Sequence, residues 1–254
     1  MDLMNKDLVS IILPYYKKKD YFLESFNSAY NQTYKKKEII IVYDDDDLSD
    51  LNFIKKIIRN KKNVYLHLNK KKHGVGPARN IAINKSRGEF LAFIDSDDVW
   101  QKHKLKKQIK FMNSKKINAS FTSYSVINNS GKVIDFRPAK KKITYEDLIF
   151  SCDIGLSTVV LRKNKKIKKI IKFPDLKTKE DYVLWINLSK KKIDFFGLKK
   201  NLSKWRKLKD SLSSNLLQKL IDGFRVYHIY LKFNFLKSIL YLFLLSINYL
   251  KKSI

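Results

Sequence analysis

The chain has one cysteine, four prolines, seven glycines and four histidines among its 254 residues. A lone thiol, Cys152, excludes an intrachain disulfide, so the fold must rest on its core and not on cross-links. Zinc-finger cysteines are missing, and His73, His103 and His228 lie in unrelated contexts, so no histidine is assigned to a metal. A signal peptide is not evident either. The run Leu8 to Tyr16 is short and interrupted by Pro14, which suits a buried first strand and leads to the expectation of a cytoplasmic location. Acids are scarce, 24 against 54 lysines and arginines, leaving a formal net charge of +30. No apolar run reaches membrane-spanning length.

What is present is enough for a full core: 44% of residues are hydrophobic, and one α/β domain of this length is ordinary. The charge is spread in short lysine runs at 17–19, 35–37, 70–72, 140–142 and 190–192, a pattern of solvated faces more than of one basic arm. A field that attracts polyanions, whether nucleic acid or an anionic membrane, is the other reading. No nucleic-acid motif accompanies it.

The most informative stretch is Glu89 to Trp100, a continuous apolar run that stops at Asp95, Asp97 and Asp98. It predicts a buried strand that delivers carboxylates to its carboxyl end, where open α/β sheets bind ligands. Asp95 and Asp97, flanking Ser96, suit a hard divalent cation such as Mg²⁺ or Mn²⁺. An acidic turn capping a helix from Val99 to Met112 is the alternative.

In chain order, Leu8 to Leu13 reads as a strand closed by Pro14, and Asp20 to Asn31 as a helix. Glu38 to Tyr43 is a second strand ending in acids, Asp44 to Asp47, before a helix over Ser49 to Asn60. Val64 to Leu68, helix Ala78 to Ser86 and strand Phe90 to Ile94 follow, and the alternation predicts a largely parallel sheet with helices on both faces. Gly74 and Gly76 permit a tight turn, Pro77 suits a first helical turn, and the backbone N–H groups there could face an anion. Arg79 could then pair with a phosphate or a base edge, or form a surface ion pair.

Five segments in order carry a resemblance: Val-Ser-Ile-Ile-Leu-Pro-Tyr-Tyr (9–16), Asn-Gln-Thr-Tyr (31–34), Glu-Ile-Ile-Ile-Val-Tyr-Asp (38–44), Gly-Pro-Ala-Arg-Asn (76–80) and Gly-Glu-Phe-Leu-Ala-Phe-Ile-Asp-Ser-Asp-Asp-Val-Trp (88–100). Glu-Asp-Tyr-Val-Leu-Trp (180–185) and the segment from Trp205 to Asn215 continue it. Together they resemble family 2 glycosyltransferases, within them the bacterial teichuronic-acid-type and related cell-surface polysaccharide enzymes, over about residues 7 to 250.

The resemblance implies the GT-A fold, a nucleotide-binding α/β/α sandwich, and inverting transfer of a sugar from a nucleotide diphosphate, usually UDP, to a cell-surface or lipid-linked glycan. By position, Asp44 matches the acid at the uracil base, Arg79 the arginine near the nucleotide, Asp95 the acid near the ribose, Asp97 the metal ligand and Asp181 the general base. Pro14, Tyr16, Ser96 and Arg206 complete the expected nucleotide site, with Glu180 the adjacent alternative to Asp181. Arg206 would bring a cation to the leaving diphosphate, and a surface ion pair is its other reading. The chain departs from the family where Pro-Thr-Tyr-Asn is Pro-Tyr-Tyr-Lys (14–17) and Asp-Asp-Gly-Ser is Tyr-Asp-Asp-Asp (43–46). Trp185 has helical spacing with Val183, Leu184 and Leu188 and reads as core.

Residues 1–215 are taken as the catalytic domain and 216–254 as a helical, apolar and basic extension. Its uncharged part, residues 238–250, is thirteen residues long. As a helix it spans about 20 Å against about 30 Å of hydrocarbon, so it fits an interfacial helix on an anionic cytoplasmic leaflet. Packing on the domain or a dimer contact are the alternatives; the oligomeric state is left open. Two other functions are weighed: a nucleic-acid-binding protein, on charge alone, and a haloacid-dehalogenase-like phosphatase, on Asp95-Ser-Asp97. The latter family has its motif on the first strand followed by Gly-Thr, unlike this chain.

Overall fold

Four parallel strands set the frame: β1 (Asn5–Tyr15), β2 (Lys37–Tyr43), β3 (Val64–Leu68) and β4 (Gly88–Phe93), in the order β3-β2-β1-β4. The computed structural model describes residues 5–69, 74–208 and 215–250. The sheet continues through short or mixed strands, β5 (Val99–Trp100), β6 (Ala119–Ile127), β7 (Val133–Arg137), β8 (Lys142–Ile143), β9 (Val160–Arg162) and β10 (Phe195–Arg206). β9 lies antiparallel between β4 and β6, β10 runs parallel to β6, and β5 pairs antiparallel with β10.

The central strands bury both faces. On β1, Val9, Ile11, Leu13 and Tyr15 share one core with Phe22 and Phe26 of α1 (Lys19–Tyr30), Ile54 of α2 (Leu48–Ile58) and Ile109 of α4 (Lys104–Lys115). Ile12, one step out of phase, faces the other core with Ala78 and Ala82 of α3 (Val75–Lys85) and Trp185 of α7 (Glu180–Lys190). A period of two along the strand thus makes an α/β/α sandwich. Two one-turn helices, α5 (Tyr145–Leu148) and α6 (Lys165–Lys168), lie between β8 and α7 in the chain. Trp185 is fully buried against Phe93, Phe173 and Phe195, as its helical spacing predicts.

Several expectations are corrected. Pro14 does not close β1, which pairs on through Tyr15. On β1 the groups of Val9 and Tyr15 face β2, while the Ile12 carbonyl accepts from Ile94 on the other side, so Pro14 points its missing donor toward the β4 side, past that ladder's last pair. Val99 and Trp100 are not helical. They pair with Lys204 and Ser203, and α4 starts only at Lys104, so none of the Asp95–Asp98 carboxylates caps it. The carboxyl-terminal stretch divides into α8 (Leu216–Arg225), a π-helical turn (Val226–Tyr230) and α9 (Phe235–Leu250), the break falling at Lys232 with φ 57°. Val226, Tyr227, Leu231 and Leu245 belong to the same core as Trp185.

Candidate active site

The carboxyl ends of β1, β2 and β4 converge with the start of α7. After Phe93 the chain turns sharply, Asp98 donating its N–H to the Asp95 carbonyl at 3.1 Å. Ser157 accepts the Asp95 N–H through its hydroxyl at 3.0 Å, and the Ser25 hydroxyl donates to the Asp95 carbonyl at 2.9 Å. The acidic turn is therefore held by hydroxyls from two other segments, leaving its carboxylates for other work.

Arg79 takes the first of them. Its guanidinium is buried and bridges Asp95 at 2.6 Å and Glu180 at 2.5 Å, with the Phe173 ring 5.2 Å from its centre. The pair is a buried one, where the sequence allowed a surface one. The Asp95 side chain nevertheless stays 31% exposed. α3 can come this near because Gly76 has no side chain: a Cβ there would lie 2.5 Å from the Pro174 carbonyl oxygen.

Glu180 and Asp181, neighbours in sequence, have different environments. Glu180 is buried on Arg79, whereas Asp181 is half-buried and its carboxylate accepts only the Tyr182 N–H, at 2.7 Å, among the described contacts. Burial pushes Glu180 up to about 7, against the pull of Arg79. Burial also raises the Asp181 carboxyl, with Arg79 opposing and Asp95 adding to the rise.

The sequence expects the turn at Gly74 to meet an anion, and the anion it meets belongs to the chain. The Gly74 N–H donates to Asp44 at 3.0 Å, and Asn69 donates to the other Asp44 oxygen at 2.6 Å. Gly74 itself has φ 87°, which a residue with a Cβ would adopt only under strain. Asp44 thus ties the end of β2 to the start of α3 at the rim of the site.

The two departures from the family pattern prove to be partners. Tyr15 and Tyr43 are paired across β1 and β2 and their rings stack, 5.3 Å between centroids and 11° between planes. The Tyr15 hydroxyl donates to Asp50 at 2.5 Å, and the Lys17 N–H donates to Asp45 at 3.0 Å. Each substitution supports the other, and Tyr16, 40% exposed, is left facing outward.

Asp97 pairs with Lys18 at 3.2 Å, and burial raises its carboxyl with Asp95 adding to the rise. Asp98 is fully buried and accepts the Arg206 N–H at 2.9 Å. Ser96 is buried in the same turn. Arg206 does not present a free cation to a diphosphate. Its guanidinium donates to the carbonyls of Asp97, Asn128 and Asn129 and pairs with Glu24 at 2.5 Å, so it fixes the turn that carries Asp97. Of the closing segment, residues 209–214 lie outside the described residues, as do His73 and the lysine run 70–72. The contribution of Ser25 and Ser157 was not visible in the sequence, because their spacing from Asp95 is set only by the fold.

Among the described residues, no three His, Cys, Asp or Glu side chains converge as a metal cage. The donors present fit a hard ion all the same: a half-buried Asp97 carboxylate paired with Lys18, and an Asp95 carboxylate two residues away whose side chain is 31% exposed. Mg²⁺ in particular is held by one or two carboxylates, with phosphates and water completing its shell.

This is the architecture of a GT-A nucleotide-sugar transferase, an α/β/α sandwich with acids at the strand ends. The glycosyl transferase family 2 model matches residues 10–187, and the chain belongs to that family. A Bacillus subtilis strain 168 protein named for teichuronic acid biosynthesis, the glycosyltransferase TuaG, is 33% identical over 237 residues, covering 92% of each chain. An Escherichia coli protein named as the UDP-Glc:alpha-D-GlcNAc-diphosphoundecaprenol beta-1,3-glucosyltransferase WfgD is 36% identical over 218 residues, 85% of this chain and 84% of its own. Among solved structures, Staphylococcus aureus TarS 1-349 in complex with UDP-GlcNAc superposes with a TM-score of 0.71 at 23% identity, over 88% of this chain. This chain spans 65% of that structure's length. The mannosyltransferase PcManGT of Pyrobaculum calidifontis, in complex with GDP-Man and Mn²⁺, gives a TM-score of 0.68 at 14% identity. These last two likenesses bear on the fold, which is the GT-A fold that the sequence motifs imply.

Proposed function

We propose that the chain is an inverting transferase that moves a sugar, a hexose from UDP, onto a lipid-linked or cell-surface glycan at the cytoplasmic face of a membrane. The observation that carries this reading is the division of labour between Glu180 and Asp181: one acid is neutralised by Arg79, and the next stands partly open beside the donor acids. The names of the relatives support the substrate class, since WfgD is described as acting on a diphosphoundecaprenol-linked sugar with UDP-Glc.

In this reading Asp44, with Pro14 and Tyr16 beside it, lines the pocket for the uracil base, and Asp95 binds the ribose. Asp97, and Asp95 with it, would hold a divalent ion, which when bound supplies positive charge where the departing diphosphate gathers negative charge. Asp181 accepts the proton of the acceptor hydroxyl as that oxygen forms its bond to the anomeric carbon. The bond from that carbon to the diphosphate oxygen breaks on the opposite side, and the configuration inverts. A carboxyl raised by burial is a stronger base than an exposed one, which suits this step near neutral pH. Arg79 orients Asp95 and Glu180, and Arg206 positions the Asp97 backbone.

The test is thermal unfolding with UDP in the presence of Mn²⁺ and of EDTA, because a ligand of the folded state raises its stability by mass action. UDP is expected to stabilise the protein strongly only with Mn²⁺, and Asp97→Asn to abolish the difference. Equal stabilisation in Mn²⁺ and EDTA contradicts the reading.

A further inference from the structure

Two helices at the carboxyl end turn apolar stripes outward. On α8, Leu216, Leu217, Leu220 and Ile221 are 40–68% exposed and fall on one side of the helix. On α9, Phe235, Leu236, Ile239, Leu240 and Phe243 are 45–79% exposed and also share one side. The stripes are joined where the Phe224 and Phe235 rings meet at 5.6 Å.

The inner sides already have partners. Gly223 of α8 lies against Leu242 of α9, Tyr241 stacks on Phe150 at 5.2 Å, and Leu245 is buried in the main core. Packing on the domain therefore accounts for one side of these helices, and the other remains uncovered among the described residues. An exposed apolar face of this extent marks an interaction site.

We propose that the joined outer face of α8 and α9 is a membrane-docking surface that lies in the interface of an anionic bilayer and sets the acid pair beside it. The inference deepens the proposed function and rests on its lipid-linked acceptor. Charge selects the occupant. A second copy would bring another formal +30 against the first, whereas acidic lipid headgroups are attracted, and Lys219, Lys232 and Lys237 lie within or between the two helices. Length selects the mode: no helix among the described residues is long and apolar enough to cross a membrane, and the sixteen residues of α9 reach about 24 Å. An amphipathic helix of that kind lies in the plane of the interface.

The link to the site runs through Asp222. This α8 side chain is fully buried and accepts both the N–H and the hydroxyl of Thr178 at 3.0 Å. Gln218 donates to it as well, at 3.0 Å, and Arg225 pairs with it at 3.3 Å. Thr178 stands two residues before Glu180 and three before Asp181. The segment that leads into Glu180 and Asp181 is thus fastened to the helix that meets the bilayer.

The full chain is sedimented with vesicles of phosphatidylglycerol and phosphatidylethanolamine, and with vesicles of phosphatidylcholine alone. Binding is expected to the anionic vesicles and to weaken with salt. The double variants Leu217→Glu/Ile221→Glu and Leu236→Glu/Leu240→Glu are each expected to bind these vesicles at least roughly tenfold more weakly than the parent. Both should keep the UDP-dependent thermal shift and transfer to a water-soluble acceptor analogue. Variants that sediment like the parent overturn the proposal, as does a dimer in solution that the same substitutions dissociate. A parent chain that sediments with vesicles but neither binds UDP nor transfers sugar overturns the proposed function instead.

Discussion

Arg79 and Glu180 are 101 residues apart in the chain and 2.5 Å apart in the fold, both buried. That contact joins α3 to α7 and commits Glu180, leaving Asp181 the more open of the two adjacent acids. Removing the arginine strands the buried Glu180 carboxylate and takes the partner from Asp95, whose side chain is 31% exposed. Arg79→Met is therefore expected to cost about 3–5 kcal/mol, the range for breaking a buried ion pair, instead of the ~0–1 kcal/mol of a surface pair. Urea unfolding of the two proteins measures the difference.

The structure also orders the residues of α9. Leu245 is 5% exposed and Leu236 is 79% exposed. Leu245→Ala is expected to cost about 2–5 kcal/mol, and Leu236→Ala to stay within about 0.5 kcal/mol of the parent. Similar losses at both positions would mean that the outer face is also covered in the free protein.

Burial raises the folded-state pKa of Glu180 to about 7, above its unfolded value. A group shifted in that direction contributes stability that is complete below the unfolded value of 4.5 and is lost as the pH rises through about 7. Urea unfolding across this window should show parent stability declining, and Glu180→Gln should show a shallower decline. An unchanged slope in the variant contradicts the assignment.

Most of the frame was legible because it depends on local pattern. The apolar runs at 38–43 and 90–94 and the acids behind them announced β2, β4 and the rim of the site, and helical spacing placed Trp185 in the core. What escaped depends on partners distant in sequence. Val99 and Trp100 have the spacing of a helix start but are claimed by β10, about a hundred residues later. Pro14 continues β1 because its empty side falls beyond the β4 ladder, a matter of register that one strand cannot reveal. Arg206 has the appearance of a phosphate ligand until the carbonyls of Asn128 and Asn129 surround it. Tyr15 and Tyr43 look like two separate departures from the family, and only the fold brings their rings together in one stack.

We propose that Asp181, and not Glu180, removes the acceptor proton, and paired substitutions separate the two. Transfer from UDP-sugar to acceptor is measured for Asp181→Asn and Glu180→Gln alongside UDP binding. Asp181→Asn should slow transfer by roughly 10²–10⁴-fold with donor binding nearly unchanged, the usual worth of a positioned base. Glu180→Gln should cost less, since its amide can still accept from Arg79. A Glu180→Gln protein that binds UDP but is inactive, beside an Asp181→Asn protein that transfers sugar at the parent rate, would contradict the account.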